Sequence, residues 1–164
     1  MIIIPIRVFL FLPFTVWGSS MEPGFSDHDY LIVDEISYRL HEPARGDVIV
    51  FHFPRNPREF YIKRVIGLPN ETVKIKGGEV SICNDQYPDC FILEERDYLS
   101  LHEKTPGNGE YETGPNNYFV LGDNRNASSD SRSWGNLSYD YVVGKVWLRA
   151  WPFSEMTRFA TPAY

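Results

Sequence analysis

Three short stretches of this chain carry side chains that could do chemistry together. Gly18-Ser19-Ser20-Met21-Glu22-Pro23 offers a serine in a turn that a proline ends. Tyr61-Ile62-Lys63-Arg64 offers a lysine inside an apolar run. Gly122 through Arg132 offers a polar loop with Asp123, Asn124, Arg125, Ser128, Asp130 and Arg132. A serine hydroxyl is a poor nucleophile until a base takes its proton. Histidine is the usual base, but His28, His41, His52 and His102 are scattered, and no G-x-S-x-G elbow is present. Lysine can take that role if it is neutral. A free lysine has a pKa of about 10.4, and burial in an apolar site lowers it by up to ~3–5 units. Lys63 has the neighbours for this in Phe60, Tyr61, Ile62, Val65 and Ile66. Lys74 and Lys76 flank a Gly-Gly turn, Lys104 sits in a polar stretch, and Lys145 follows a glycine.

The bland alternatives are specific. A strand lysine usually faces solvent. Because successive strand residues face opposite ways, only one of Lys63 and Arg64 is expected to point inward. The serine turn alone is a short loop ending at a proline. The polar loop alone is a solvated turn, although Ser133-Trp134-Gly135 follows it and an indole favours burial.

The elements that must position these residues read as strands. Apolar, β-branched and aromatic runs cover Asp29 to Asp34, Gly46 to Phe53, Phe60 to Ile66, Asn117 to Leu121 and Tyr141 to Trp151. Thr72 to Lys76, Gly77-Gly78 and Glu79 to Ile82 read as a hairpin with a Gly-Gly turn. Only Cys90 to Glu103 has helical character, from Ile92-Leu93-Glu94-Glu95-Arg96. Residues 77–116 differ in texture, rich in Gly, Asn, Pro and acidic residues. They are expected to form an inserted lobe between the two parts of a catalytic β core, 1–76 and 117–164. The expected fold class is all-β, with antiparallel sheets, a small inserted β-rich lobe and little helix.

The 164-residue length allows one domain with a small lobe. A net charge of −6 argues against a nucleic-acid partner. Cys83 and Cys90 form no CxxC pair, so a zinc cluster is not expected. They read either as a disulfide across the turn-rich Asn84 to Asp89 or as two unpaired thiols. A disulfide would imply an oxidising, extracytoplasmic location. Met1 to Trp17 is almost wholly apolar, with Arg7 its only charge. It is shorter than the ~20 residues of a membrane-spanning helix and contains Pro5 and Pro13. It also lacks the charge placement and cleavage site of a signal peptide. It reads as a buried strand around Val8 to Leu12 or as an extended segment presenting Phe9, Phe11, Phe14 and Trp17 to a bilayer surface.

Taken in order, the motifs resemble those of the bacterial type I signal peptidases, membrane-bound serine endopeptidases. The matching stretches are Ser20-Met21-Glu22-Pro23, Arg45-Gly46-Asp47-Val48-Ile49-Val50-Phe51, Tyr61 through Pro69, and Gly122 through Gly135. Arg7 to Phe14 is similar to the family's segment ahead of the serine, and Val143-Gly144-Lys145-Val146 to its last strand. The resemblance implies a Ser20 nucleophile and a Lys63 general base. It implies a Ser128 hydroxyl that orients the lysine amine and an Asp130–Arg132 salt bridge that supports the loop. Met21, Tyr61 and Ile62 are expected to line shallow pockets for small side chains. The implied substrates are signal peptides of exported preproteins, cut at the outer face of a bacterial cytoplasmic membrane whose lipid surface is a partner. No metal or cofactor is implied. Relatives ordinarily carry a transmembrane anchor ahead of this region, so the expectation here is a trimmed anchor or peripheral docking. Gly18 stands where many relatives place a second oxyanion-donating serine. Asn70-Glu71 and Gly24-Phe25 also depart from the family pattern. Two other classes would look different: a self-cleaving Ser–Lys repressor needs a DNA-binding helix-turn-helix and a basic face, and a non-catalytic β-domain would lack reactivity at Ser20.

Overall fold

The structure is a computed structural model and describes residues 11–100, 103–159 and 161. Residues 1–10, and with them Phe9 and Arg7 of the expected membrane-facing segment, lie outside the described residues, as does His102.

Antiparallel strands dominate. In chain order they are β1 (Phe11–Thr15), β2 (Tyr30–Asp34), β3 (Val48–Phe53), β4 (Asn56–Gly67), β5 (Thr72–Lys76) and β6 (Glu79–Cys83). Then follow β7 (Phe91–Ile92), β8 (Gly109–Glu112), β9 (Asn117–Leu121), β10 (Leu137–Ser138), β11 (Val142–Trp151) and β12 (Thr157–Arg158). Helix is confined to single turns, such as Ser37–Leu40 and Ser131–Trp134. The all-β fold class expected from the sequence is the one observed.

The larger sheet runs β1-β2-β11-β3-β4-β9-β10, with β12 beside β11. The smaller runs β7-β6-β5-β8. Its strands alternate as a half-buried sheet should. Val73 and Ile75 of β5 and Val80 and Ile82 of β6 turn inward onto Ile66, Phe119 and Leu121 of the larger sheet. The β5–β6 turn places Gly77 at φ +63° and Gly78 at φ +91°. Two consecutive positive φ values are the demand of a type I′ hairpin turn, which glycines meet without strain.

β3 lies between β11 and β4 and is covered on both faces, hence its continuous apolar run. Val48 and Val50 pack with Val16, Met21, Phe25 and Leu31. Ile49 and Phe51 pack with Val65, Tyr118 and Val120 on the other side. β4 is a strand in two halves. From Asn56 to Phe60 it is exposed, and from Lys63 to Gly67 it is buried. Lys63 therefore sits where the strand enters the core, paired with the fully buried Ile49.

Two sequence expectations are corrected here. Lys63 and Arg64 are both buried, 3% and 6% exposed, because the inner half of β4 is covered on both faces. The helical character expected for Cys90 to Glu103 is not realised among the described residues. Phe91–Ile92 forms β7 instead, and the Leu93 amide donates to the Val80 carbonyl of the neighbouring strand. Five helix-forming residues cannot offset helix nucleation once a sheet edge competes for their backbone.

Candidate active site

Ser20 lies in the connection between β1 and β2. The Gly18 amide donates to Asp27 Oδ1 at 2.8 Å, and Gly18 has φ +87°. A serine at this position would be strained in that left-handed region, which gives a local reason for glycine there. Below the turn, Met21 and Phe25 are fully buried and clamp the chain to the core. The loop after β9 holds the same turn from the other side. Asn124 donates its backbone N–H to the Ser20 carbonyl at 3.1 Å and its side-chain Nδ2 to the Ser19 carbonyl at 3.0 Å.

The turn and β4 bring the two predicted residues together. Lys63 Nζ donates to Ser20 Oγ at 2.7 Å and to the Ile62 carbonyl at 2.7 Å. Tyr61 contributes a ring whose centroid is 5.5 Å from Nζ. Burial drives the Lys63 pKa down, opposed in part by the carboxylates of Asp130 and Asp123, and the balance leaves it at about 8. A lysine in that range has an accessible neutral form. Its lone pair can then accept the serine proton across the same contact, while one N–H stays on the Ile62 carbonyl.

The loop is fixed by ion pairs rather than by apolar packing. Asp130 is fully buried and pairs with Arg132 through Nε and Nη2, both at 2.8 Å. It also accepts from the Gly122 amide at 3.1 Å. Burial pushes the Asp130 carboxyl up, but the Arg132 hydrogen bonds and charge outweigh it, and the net shift is downward. Arg64 forks onto Asp123 at 2.8 and 2.6 Å. Arg125 forks onto Glu95 at 3.0 and 2.6 Å. Asn124 and these two arginine pairs were not singled out by role in the sequence reading. Their signal was the Gly-Asp-Asn-Arg run itself, whose partners lie far away in the chain.

Other predicted residues fall differently. Ser128 Oγ is buried and faces the Asp130 carboxylate without reaching hydrogen-bond geometry. It forms no hydrogen bond with the lysine amine, whose second acceptor is the Ile62 carbonyl. Tyr61 and Ile62 line a cleft of about 440 Å³ that ends at Ser20 and Lys63. Met21 does not; its side chain points into the core with Val16 and Leu31, because the turn needs an apolar anchor on its inner side. Phe14, Trp17 and Phe60 wall the outer part of the cleft. Cys83 and Cys90 form a disulfide at the end of the β6–β7 pair.

A serine hydroxyl held against a desolvated amine at the head of an apolar cleft, on antiparallel sheets, is a constellation suited to lysine-assisted acyl transfer. Comparison with known proteins gives the chain's family. Residues 1–151 match the family model described as signal peptidase, peptidase S26. Signal peptidase I of Leptolyngbya laminosa is 38% identical over 96% of this chain and 77% of its own. Signal peptidase IB of Staphylococcus aureus is 34% identical over 94% of this chain and 85% of its own. The crystal structure of a signal peptidase I from Enterococcus faecalis V583 superposes with a TM-score of 0.53 at 30% identity. It covers 65% of this chain and 97% of that one. The chain therefore belongs to the signal peptidase family, peptidase S26, and is a hydrolase of the signal-peptidase kind.

Proposed function

We propose that Ser20 is the nucleophile and Lys63 the general base with which this signal peptidase cuts signal peptides from exported preproteins. The observation that carries the assignment is the 2.7 Å contact between Lys63 Nζ and Ser20 Oγ in the lining of the apolar cleft. Neutral Lys63 takes the Ser20 proton as Oγ attacks the scissile carbonyl. The Ser20 backbone N–H is the nearest candidate to stabilise the developing oxyanion, with Gly18 offering no hydroxyl. The Lys63 ammonium then protonates the departing amine, leaving the signal peptide as an ester on Ser20. Lys63, neutral again, takes a proton from water as the water oxygen attacks the ester, then returns that proton to the departing Ser20 Oγ, and the signal peptide leaves as its carboxylic acid, which ionises in water. Asp130 and Arg132 support the loop, and Ser128 is assigned beside them. Tyr61 and Ile62 shape the cleft for small side chains near the cut. The smaller sheet and its loops, residues 77–116 in the main, are assigned to an inserted lobe that contributes neither Ser20 nor Lys63.

Cleavage of a synthetic Ala-x-Ala preprotein peptide tests this reading. Ser20→Ala and Lys63→Ala should each abolish turnover in a folded protein, and the double variant should be no worse than either. Full activity in either single variant refutes the pair.

We also place the catalytic domain on the extracytoplasmic face of a bacterial membrane. A disulfide fits an oxidising compartment. No helix among the described residues is long and apolar enough to cross a membrane. Trp17 is 75% exposed and Phe60 49% exposed at the mouth of the cleft, where a bilayer surface would cover them. Replacing Phe9, Phe11 and Trp17 with Ser should release the protein from floated liposomes. A wild-type protein that does not float with vesicles refutes the docking.

A further inference from the structure

The two residues proposed to react are joined through the protein by a closed ring of contacts, and one link in it has no role so far. Lys63 is followed on β4 by Arg64. Arg64 Nε and Nη2 fork onto the Asp123 carboxylate at 2.8 and 2.6 Å, and Arg64 Nη1 donates to the Gly46 carbonyl at 2.9 Å. Asp123 is followed by Asn124, whose N–H holds the Ser20 carbonyl. Ser20 Oγ meets Lys63 Nζ and closes the ring. Arg64 and Asp123 are 59 positions apart in sequence, and Asp123 is fully enclosed. The nucleophile turn also leans on the pair, since a Cβ built on Gly24 would stand 3.1 Å from Asp123 Oδ2.

We propose that Arg64 is a positioning residue for the Ser20–Lys63 pair: its fork onto Asp123 ties the strand carrying the amine to the loop gripping the serine, and cancels a carboxylate charge beside that amine. The proposal rests on the Ser20–Lys63 reading. Two carboxylates, Asp130 and Asp123, act on Lys63 and favour its ammonium form. Each is met by an arginine fork, Arg132 from the loop itself and Arg64 from the strand; Asp123 also feels the Arg125 charge, and the Arg64 guanidinium lies 4.0 Å from the Tyr98 ring centroid. Around the amine also stand the Tyr61 ring, the Ser20 hydroxyl and the Ile62 carbonyl, with Glu59 on the wall of the cleft. From β3, the residue paired with Lys63 is Ile49, which carries no charge. An uncompensated Asp123 would hold the proton on Lys63 more tightly. An uncompensated Arg64 would drive it off.

The sign of this effect gives a test that a purely structural role would not pass. The probe is the pH dependence of kcat/KM for preprotein peptide cleavage, in wild type, Arg64→Gln, Asp123→Asn and the double variant. Arg64→Gln should move the acidic limb up by about one pH unit, the lower end of what one nearby charge does. Its deficit would then be ~10-fold larger at pH 7 than on the alkaline plateau. Asp123→Asn should move the limb down, and the double variant should bring it back to the wild-type position. Arg64→Lys keeps the charge and loses the fork, so it should keep the limb and lose plateau activity. If Arg64→Gln does not fold, Asp123→Asn against the double variant still gives a lowered limb against one restored to the wild-type position. Limbs at one common pH in every folded variant overturn the role of Arg64 alone. A wild-type limb at the pH of free lysine, or activity surviving in Lys63→Ala, overturns the Ser20–Lys63 reading beneath it.

Discussion

Replacing Lys63 by methionine should stabilise this protein at neutral pH while abolishing its activity. In the fold the amine's pKa falls from 10.5 to about 8 because burial penalises its charge. A gap of about 2.5 pH units corresponds to ~3 kcal/mol of folding free energy, at ~1.4 kcal/mol per unit. The sign follows from the proton count. Below pH 8 both folded and unfolded lysines are charged, and the folded state bears the full cost. Between pH 8 and 10.5 the folded state holds fewer protons, so stability rises with pH. Above 10.5 both are neutral and the cost is gone. Methionine fills similar volume without charge. Asp130 and Asp123 keep their arginines, while half-buried Ser20 and the Ile62 carbonyl each lose a hydrogen bond worth ~1 kcal/mol. The net gain at pH 7 is therefore ~1 kcal/mol. Urea unfolding of wild type and Lys63→Met at pH 7 and pH 10.5 measures it. The variant should be more stable at pH 7, and the advantage should disappear by pH 10.5. A variant that is less stable at pH 7, or an advantage unchanged across that window, would show that Lys63 is not held as a strained cation.

Gly122→Ala should remove most activity, because the added Cβ would collide with Ser128 Oγ and the Ser20 carbonyl. Circular dichroism should show a folded protein beside a loss of peptide cleavage, and unchanged cleavage would contradict the packing described. The double substitution Cys83→Ser, Cys90→Ser should lower stability by ~2 kcal/mol, the value for so short a loop. It should leave kcat/KM unaltered, and a large loss of activity without unfolding would tie the lobe to the site.

The serine, the lysine and their loop could be read from residue types because chemistry constrains type and spacing tightly. The strands could be read because β-branched and aromatic runs end at Gly, Pro and Asn. What could not be read depends on partners set by sheet order. Whether Lys63 faced water or core turned on β4 lying between β3 and β9, and on its outer half running past β9 with β3 alone beside it. The Arg64–Asp123 fork exists only because those same strands are neighbours, and nothing in Tyr-Ile-Lys-Arg names a partner in another loop. The expected helix failed for the same reason. Its residues favour helix locally, yet β6 takes the backbone at Leu93 and Arg125 takes the side chain of Glu95. Met21 was misplaced because it adjoins the nucleophile in sequence. A turn exposes one residue by burying the next, and here Met21 is the buried one.

The use of ion pairs to hold the loop has a physical logic. Residues 122–132 contain almost no apolar side chain apart from Ala127, so packing cannot locate them. Buried ion pairs add little net stability, since desolvation offsets most of their attraction. A forked guanidinium–carboxylate contact is nevertheless directional and tolerates little displacement. Arg64–Asp123 fixes the start of the loop to β4, Arg125–Glu95 fixes its middle to the segment after β7, and Arg132–Asp130 closes its end. Between those points lie Gly122, which must admit the Ser20 carbonyl, and Asn124, which must bind it. Apolar side chains in the same places could slide by fractions of an ångström at little cost. The Ser20–Lys63 hydrogen bond cannot, because the proton transfer proposed across its 2.7 Å would fail if either atom drifted. A loop built this way gives up stability that an apolar loop would have and gains a fixed position for the nucleophile's backbone.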